Sequence, residues 1–286
     1  MHKMNKCCAG IVTYNPDIER LRIVVKQVVN QVDEIIVVDN NSLNKNDIEA
    51  IAADYESLVF VCNKENEGIA HALNTIFEVA EQRGFEWVLT LDHDTICPDD
   101  MVKMLSEHCD KDNIGIVCPA VDYENLEIKN ISNGTRLSYP YACMTSGSLT
   151  NTSAWKKVGG FRDEYFIDFV DNEFCMKLGL SGFRIIRDNE CVMHHQLGNA
   201  CEKKLFGVFK KNVSVHSPWR FYYMTRNNLL FIWEYRTHLN VIKEYLKLCS
   251  ILFSGLLYAD DKSNTFFYIR RGVVDAREGK SGKLII

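Results

Sequence analysis

Over its first 120 residues this chain alternates short apolar runs with longer stretches in which apolar residues recur every three or four positions. The runs are CCAGIVTY (7–14), EIIVVD (34–39), LVFVC (58–62), EWVLTLD (86–92) and Ile114 to Cys118. Between the first two, Ile18, Leu21, Val24, Val25 and Val28 share one face of a helix expected over 17–31. Further helical stretches are expected at about 45–56 and 67–83. A strand that is apolar at successive positions is buried on both faces, which happens where helices cover both sides of a parallel sheet. Strands separated by helices therefore predict βαβ units and an α/β fold with a mostly parallel central sheet flanked by helices.

The pattern changes after about residue 120. Residues 121–141 look irregular or antiparallel, with turn signals at Asn133-Gly134 and Tyr139-Pro140. Helices are expected at 151–157 and 170–180, and Phe183 to His194 reads as a hairpin or two short strands. From residue 200 the chain reads as mostly helical, with aromatic-rich amphipathic segments near 219–236 and 239–258. A net charge of −5 gives no global cationic field, so nucleic acid is not an expected partner. Eleven cysteines lack any Cys-x-x-Cys pair, and their odd number and scatter fit a reducing cytoplasm. The N-terminal apolar stretch is short for a signal peptide. Leu248 to Ala259 spans 12 residues, against the roughly 20 that cross a bilayer. The expectation is a soluble or peripherally attached cytoplasmic protein.

Ligands of open parallel sheets bind beyond the carboxyl ends of the strands. Strand one ends in Thr13-Tyr14-Asn15-Pro16, strand two in Asp39, strand three in Asn63 and strand four in Asp92-His93-Asp94. The first of these turns holds no glycine, which disfavours a dinucleotide site, and a P-loop motif is missing from the chain. Asp92 and Asp94 sit at i and i+2, so in extended backbone both carboxylates point to one side. Their repulsion calls for a cation or a proton, and hard oxygen ligands select Mg²⁺ or Mn²⁺. A solvated acidic turn is the bland reading of the same residues. Asp39 could meet a ribose or base, or cap a helix. The segment from Asn66 to Asn74 opens a helix whose free amides could attract phosphate, or it is an ordinary capped start. Acids among aromatics over Gly159 to Glu173 could include a general base or a solvated helix face. His194-His195 could add a metal ligand or be structural.

Together and in this order, these residues resemble glycosyltransferase family 2, the inverting enzymes of the GT-A fold, over about residues 6–200. The resemblance implies a GT-A fold with a helical C-terminal region. It also implies that Thr13, Asn15 and Asp39 lie at the nucleoside, and that Asn66, Gly68 and Asn74 lie near the sugar nucleotide. Asp92 and Asp94 match the Asp-x-Asp motif, with Asp94 on a divalent cation and Asp92 on the donor. Asp171 matches the catalytic base, preceded by Val170 where the family usually has Glu. His195, three residues before Gly198, matches a late histidine that completes metal or diphosphate contacts, with His194 as its competitor. Arg220-Phe221-Tyr222-Tyr223-Met224-Thr225-Arg226-Asn227 is similar to a run in bacterial rhamnosyltransferases, which places Arg226 with the nucleotide-sugar contacts. Arg271 to Ala276 and Gly279-Lys280-Ser281-Gly282 are similar to the tail of that subgroup.

The domain expectation is a catalytic domain over 1–200, with a nucleotide half (1–120) and an acceptor half (121–200), followed by a helical region over 201–286. The resemblance implies transfer of L-rhamnose from dTDP-L-rhamnose to a saccharide or lipid-linked saccharide in bacterial surface polysaccharide synthesis. UDP-galactofuranose or another UDP-hexose is the alternative donor, and a non-catalytic sugar-nucleotide or glycan binder is the alternative class. Leu239, Ile242, Tyr245, Leu246, Cys249, Phe253 and Leu256 lie near one helical stripe with Lys243 and Lys247. Its first reading is core or homodimer contact, and its second is peripheral membrane contact.

Overall fold

The computed structural model describes residues 6–123, 134–195, 200–205, 209–214 and 216–285. They form two compact units. One combines the chain up to Asp163 with Val170–His195, and the other combines Glu164–Phe169 with the described residues beyond His195.

The first unit runs β1 (Cys7–Thr13), α1 (Ile18–Val28), β2 (Glu34–Asp39), α2 (Lys45–Ala53), β3 (Leu58–Cys62), α3 (Ile69–Gln82) and β4 (Trp87–Asp92). It continues with α4 (Met101–Ser106), β5 (Ile114–Tyr123), β6 (Leu137–Ser138), β7 (Ser148–Asn151), α5 (Thr152–Lys157), α6 (Val170–Leu180) and β8 (Arg184–His195). The sheet order is β3-β2-β1-β4-β7-β5-β8-β6. The first four strands are parallel neighbours, as are β5 and β8, while β7 lies antiparallel between β4 and β5. The expected α/β class and mostly parallel sheet are therefore present.

Local chemistry explains the helix entries. Asp17 caps α1 by accepting from the Arg20 amide, after Pro16 has ended the strand-one turn. Leu21, Val24, Val25 and Val28 are then buried on one face, each worth about 1.5–3 kcal/mol relative to exposure. Gly10 in β1 allows α3 to press on the sheet, because a Cβ there would meet Ile76 Cγ2 at 2.3 Å. Val25→Ala would leave a void among these side chains, at a cost of roughly 1–3 kcal/mol.

Two expectations need correction. Residues 184–195 are a single strand rather than a hairpin. Opposite β5, Pro119 pairs with Asp188 and Ala120 with Val192, so residues 189–191 form a bulge in β8. The polar triplet Asp188-Asn189-Glu190 looks like a turn in sequence. Here Asp188 is buried and bonded to His108 Nε2 at 2.8 Å, and the Asn189 amide donates to the Arg136 carbonyl. Tertiary partners thus keep the triplet in the strand.

The second correction lies in the other unit, which begins its C-terminal part with an antiparallel hairpin rather than a helix. Its strands are β9 (Ala200–Leu205) and β10 (Phe209–Ser214). Three helices follow: α7 (Arg220–Glu234), α8 (Val241–Tyr258) and α9 (Lys262–Arg277). Helix α7 is buried along most of its length, including Phe221, Tyr222, Tyr223, Arg226 and Asn227. Helix α8 buries only Leu248, so its apolar stripe is not core within this chain.

Candidate functional site

The ends of β1 and β2 hold a buried polar cluster. Asp39 is fully buried, and its Oδ1 accepts from Thr13 Oγ1 at 2.8 Å and from Ser42 Oγ at 2.5 Å. Its Oδ2 accepts from the Ser42 amide at 2.8 Å. The turn after β1 is tied in as well. The Asn15 amide donates to Ser42 Oγ, while Asn15 Oδ1 accepts from the Leu43 amide. Asn15 has φ of 48°, a left-handed conformation that asparagine tolerates better than most residues. Asn40 Nδ2 donates to the Gly68 carbonyl and its Oδ1 accepts from Asn63 Nδ2, which links the ends of β2 and β3 to the start of α3. Ser42, Asn40 and Asn63 were not singled out as site residues by sequence reasoning. The usable signal was the Asp-x-x-Ser spacing from Asp39 to Ser42, which suits a carboxylate bonding an amide three residues on.

At the entry of α3, the Asn66 side chain accepts from the Gly68 amide. Gly68 takes φ of 91°, a conformation that disfavours a side chain. Asn74 is different in character. Its Nδ2 donates to the Phe161 carbonyl and Asp163 Oδ1, and its Oδ1 accepts from the Phe161 amide and Trp155 Nε1. Both halves of its amide are used in fixing residues 155–163. Asn74 is therefore a brace for that segment rather than a free ligand group.

Strand β4 delivers the acidic pair. The Asp92 amide donates to Ser146 Oγ at 2.9 Å, and Ser146 Oγ is also 2.8 Å from Thr95 Oγ1. Asp94 is exposed, with its backbone carbonyl held by Arg20 Nε. A bridge between Ile96 and His194 brings the end of β8 beside this loop. His194 is itself exposed, with Nδ1 3.8 Å from Asp122 Oδ2. The His195 side chain and Gly198 lie outside the described residues.

Among the described residues, no group of three His, Cys, Asp or Glu side chains is arranged to hold a metal ion. The available donor set is the carboxylate pair at the end of β4. It fits a hard divalent cation that keeps several waters and takes phosphate oxygens from a ligand.

Asp171 stands in the first turn of α6, where its Oδ1 accepts from the Asn172 amide at 2.8 Å. With Asn172 it lines a cavity of about 290 Å³ whose other walls include Cys118, Cys143, Ser146, Ser148 and Arg187. Ser146 thus belongs to two structures at once, the wall of the Asp171 cavity and the hydrogen bonding of the Asp92 backbone. No sequence signal marks it, since Ser146 and Asp92 are 54 residues apart. A carboxylate at a cavity wall is chemically able to take a proton from a hydroxyl bound in that cavity.

Arg226 is fully buried in the second unit. Its Nε donates to Asn227 Oδ1, its Nη1 to the Gly282 carbonyl and Tyr222 Oη, and its Nη2 to the carbonyls of Glu164 and Tyr165. The guanidinium also lies over the rings of Tyr222 and Tyr223, 5.1 Å from each centroid. Asn227 Nδ2 reaches the carbonyls of Tyr165, Ile167 and Asp168 at 2.8–2.9 Å, and Arg220 pairs with Asp168. Phe166, Asp168 and Phe169 all have positive φ, which costs energy in non-glycine residues. Arg226 and Asn227 offset that cost, so the structure gives Arg226 a bracing role in this segment.

Comparison with known proteins agrees with this geometry. The profile of "Glycosyl transferase family 2" matches residues 8–171. The chain belongs to that family. The match begins in β1 and ends on Asp171, so it spans the strand ends described above. A dTDP-rhamnosyl transferase, RfbF of Shigella flexneri, is 26% identical over 96% of this chain and 95% of its own length. Solved structures with a similar fold include a mannosyltransferase, PcManGT from Pyrobaculum calidifontis, in complex with GDP-Man and Mn²⁺. It aligns with a TM-score of 0.64 at 14% identity, covering 98% of this chain and 89% of its own. TarS of S. aureus (1–349) aligns with a TM-score of 0.54 at 15% identity, covering 94% and 70%. These neighbours share the GT-A fold with this chain, and sugar transfer is the role that family membership supports.

Proposed function

We propose that this family 2 protein is an inverting glycosyltransferase that moves L-rhamnose from dTDP-L-rhamnose to a saccharide or lipid-linked saccharide hydroxyl, in building a bacterial surface polysaccharide. The observation that carries the reading is Ser146, which ties the Asp92 end of β4 to the cavity lined by Asp171. That shared serine supports reading the β4 carboxylates as the donor side and Asp171 as the base side of one site. The rhamnosyl donor is supported by likeness to RfbF over nearly the whole chain.

Asp171 takes the proton of the acceptor hydroxyl while that oxygen bonds to the anomeric carbon. The bond from that carbon to the diphosphate oxygen breaks on the opposite face, and the nucleoside diphosphate leaves with the electron pair. One such displacement inverts the anomeric configuration. Asp94, with the His195 implied by the family resemblance, would hold Mg²⁺ or Mn²⁺, which would supply charge neutralisation at the diphosphate, and Asp92 would contact the donor. Asp39 shapes the nucleoside end by fixing Thr13, Ser42 and Asn15, and Asn66 and Gly68 set the α3 entry toward the donor.

Calorimetric titration with dTDP, UDP and GDP, each with Mn²⁺ and again with EDTA, tests this reading. Metal-dependent preference for dTDP is the expected result. Outer-shell substitutions alone cost ~10–100-fold in metal affinity, so Asp94→Ala should remove at least ~10-fold of the metal-dependent gain. Preference for UDP would keep the transferase and replace the rhamnosyl donor. No binding by folded protein would overturn the proposal. Metal-dependent dTDP binding without turnover over a broad acceptor panel would leave a sugar-nucleotide binder.

We assign the α8 surface to contact with the membrane that carries a lipid-linked acceptor. Ile242, Leu246 and Phe253 are 66–74% exposed along one stripe, with Lys243 and Lys247 exposed at its flank. Apolar residues beside lysines suit an anionic lipid surface. No described helix is long and apolar enough to cross a membrane. Flotation with anionic vesicles should be lost when Ile242 and Phe253 are changed to Ser. A concentration-dependent dimer that the same changes dissociate would instead assign the stripe to a second copy.

A further inference from the structure

Three cysteines gather at the wall of the Asp171 cavity. Cys118 and Cys143 both line it, and Cys175 donates a hydrogen bond from its thiol to the Cys143 carbonyl at 3.8 Å. The Cys143 sulfur is the centre of the group. It accepts from Ser148 Oγ at 3.6 Å, with the thiols of Cys118 and Cys175 as its neighbours. Strand register explains the gathering. Cys118 follows Val117, which pairs with Leu149, and it pairs with Arg187 on its other side. Arg187 thus adds a positive charge to the same wall.

These contacts with Cys118, Cys175 and Ser148, together with Arg187, outweigh burial and hold the Cys143 thiol well below the ordinary thiol range. The other core thiols are different. Burial pushes Cys7, Cys97 and Cys191 up to about 12, where the thiolate needed for reaction is scarce at neutral pH. Cys143 as a residue is partly buried and lines the cavity.

We propose that Cys143 is an oxidation site of this protein, attacked by peroxides and resolved by Cys118 into a disulfide across the cavity wall. In the first step the Cys143 thiolate attacks one peroxide oxygen. The S–O bond forms, the O–O bond breaks, and the departing hydroxide takes a proton to become water. In the second step the Cys118 sulfur attacks the Cys143 sulfur, the S–S bond forms, and the sulfenic oxygen leaves as water. Two thiols are oxidised by two electrons in all, and one peroxide is reduced to two waters. Cys118 is the resolving partner because it shares the cavity wall, which Cys175 does not line. The disulfide would draw in the wall opposite Asp171 and shut off transfer, a consequence that rests on the proposed function.

Peptide mapping by mass spectrometry on the whole folded chain tests the assignment without assaying activity. Under limiting maleimide, Cys143 should label at least ~10-fold faster than Cys249, which is exposed on α8. Hydrogen peroxide should join the Cys118 and Cys143 peptides with loss of two hydrogens, and dithiothreitol should separate them. Cys118→Ser should leave a Cys143 sulfenic acid that dimedone traps. Equal labelling of Cys143 and Cys249, or a peroxide-formed disulfide that omits either Cys118 or Cys143, would overturn the proposal. Turnover that survives the mapped disulfide would retain the oxidation site and remove this cavity from the transfer mechanism.

Discussion

In the first unit, Asp92, Asp94 and Asp171 stand partly or fully exposed at the ends of elements whose bodies are apolar. In the second, Arg226, Asn227 and Asn228 of α7 are sealed inside while α8 turns Ile242, Leu246 and Phe253 outward. Both regions contain the polar runs that mark the family resemblance. What separates them is hydrogen-bond supply. Arg226 and Asn227 are occupied by backbone carbonyls of their own unit, whereas Asp171 borders a cavity and Asp94 is exposed. A motif residue is a candidate ligand only where the fold leaves it capacity to bind one.

The comparison can be broken first at Asp171. Asp171→Asn should lower kcat by ~10²–10⁴-fold while leaving dTDP affinity nearly unchanged, as expected for loss of a general base. Steady-state kinetics paired with calorimetry checks this, and full retained activity would remove Asp171 from the chemistry. Arg226→Met should act on the fold instead. It strips partners from several buried carbonyls, each costing about 1–3 kcal/mol, so urea unfolding should show a loss of about 3 kcal/mol or more. A variant of unchanged stability with weakened dTDP binding would return Arg226 to the ligand site.

Acid should destabilise both units. Burial alone would raise the Asp188 carboxyl, but hydrogen bonds from His108, the Glu190 amide and Arg136 outweigh it and hold it below the ordinary range. Asp275 in α9 is likewise held low, with burial outweighed by Arg271 and Tyr222. A depressed carboxyl contributes stability that is complete above its unfolded value, about 3.9 for aspartate, and is lost as pH falls through the folded value. The urea midpoint should therefore drop below about pH 4. Asp188→Asn should shrink that drop, and an unchanged acid profile would count against the buried pair. The smallest effects belong to α8. Ile242→Ser should change stability by no more than about 0.5 kcal/mol, whereas Leu248→Ala on the same helix should cost about 2–5 kcal/mol.

The unbroken apolar runs marked all four strands of the parallel half, and β1, β2 and β4 begin and end within about a residue of those runs. The strand-end acids were legible for the same reason, since the residue that ends a buried run must sit at the sheet edge. The single strand through Asp188-Asn189-Glu190 was not legible, because its polar residues are stabilised by His108 and Arg136 from distant segments. The hairpin at β9 and β10 was missed as well, where composition gave no strong alternation.

The sequence by itself determined the α/β class, the strand ends that carry Asp39, Asp92 and Asp94, and the placing of Asp171 at the start of a helix. These follow from period and local chemistry, which act over a few residues. Only the tertiary structure decided that Asn74 and Arg226 brace neighbouring backbone, that Ser146 links β4 to the Asp171 cavity, and that Cys118 and Cys143 share one wall. Those outcomes depend on which polar atoms find partners across dozens of residues, and such pairing is fixed by packing rather than by any local pattern.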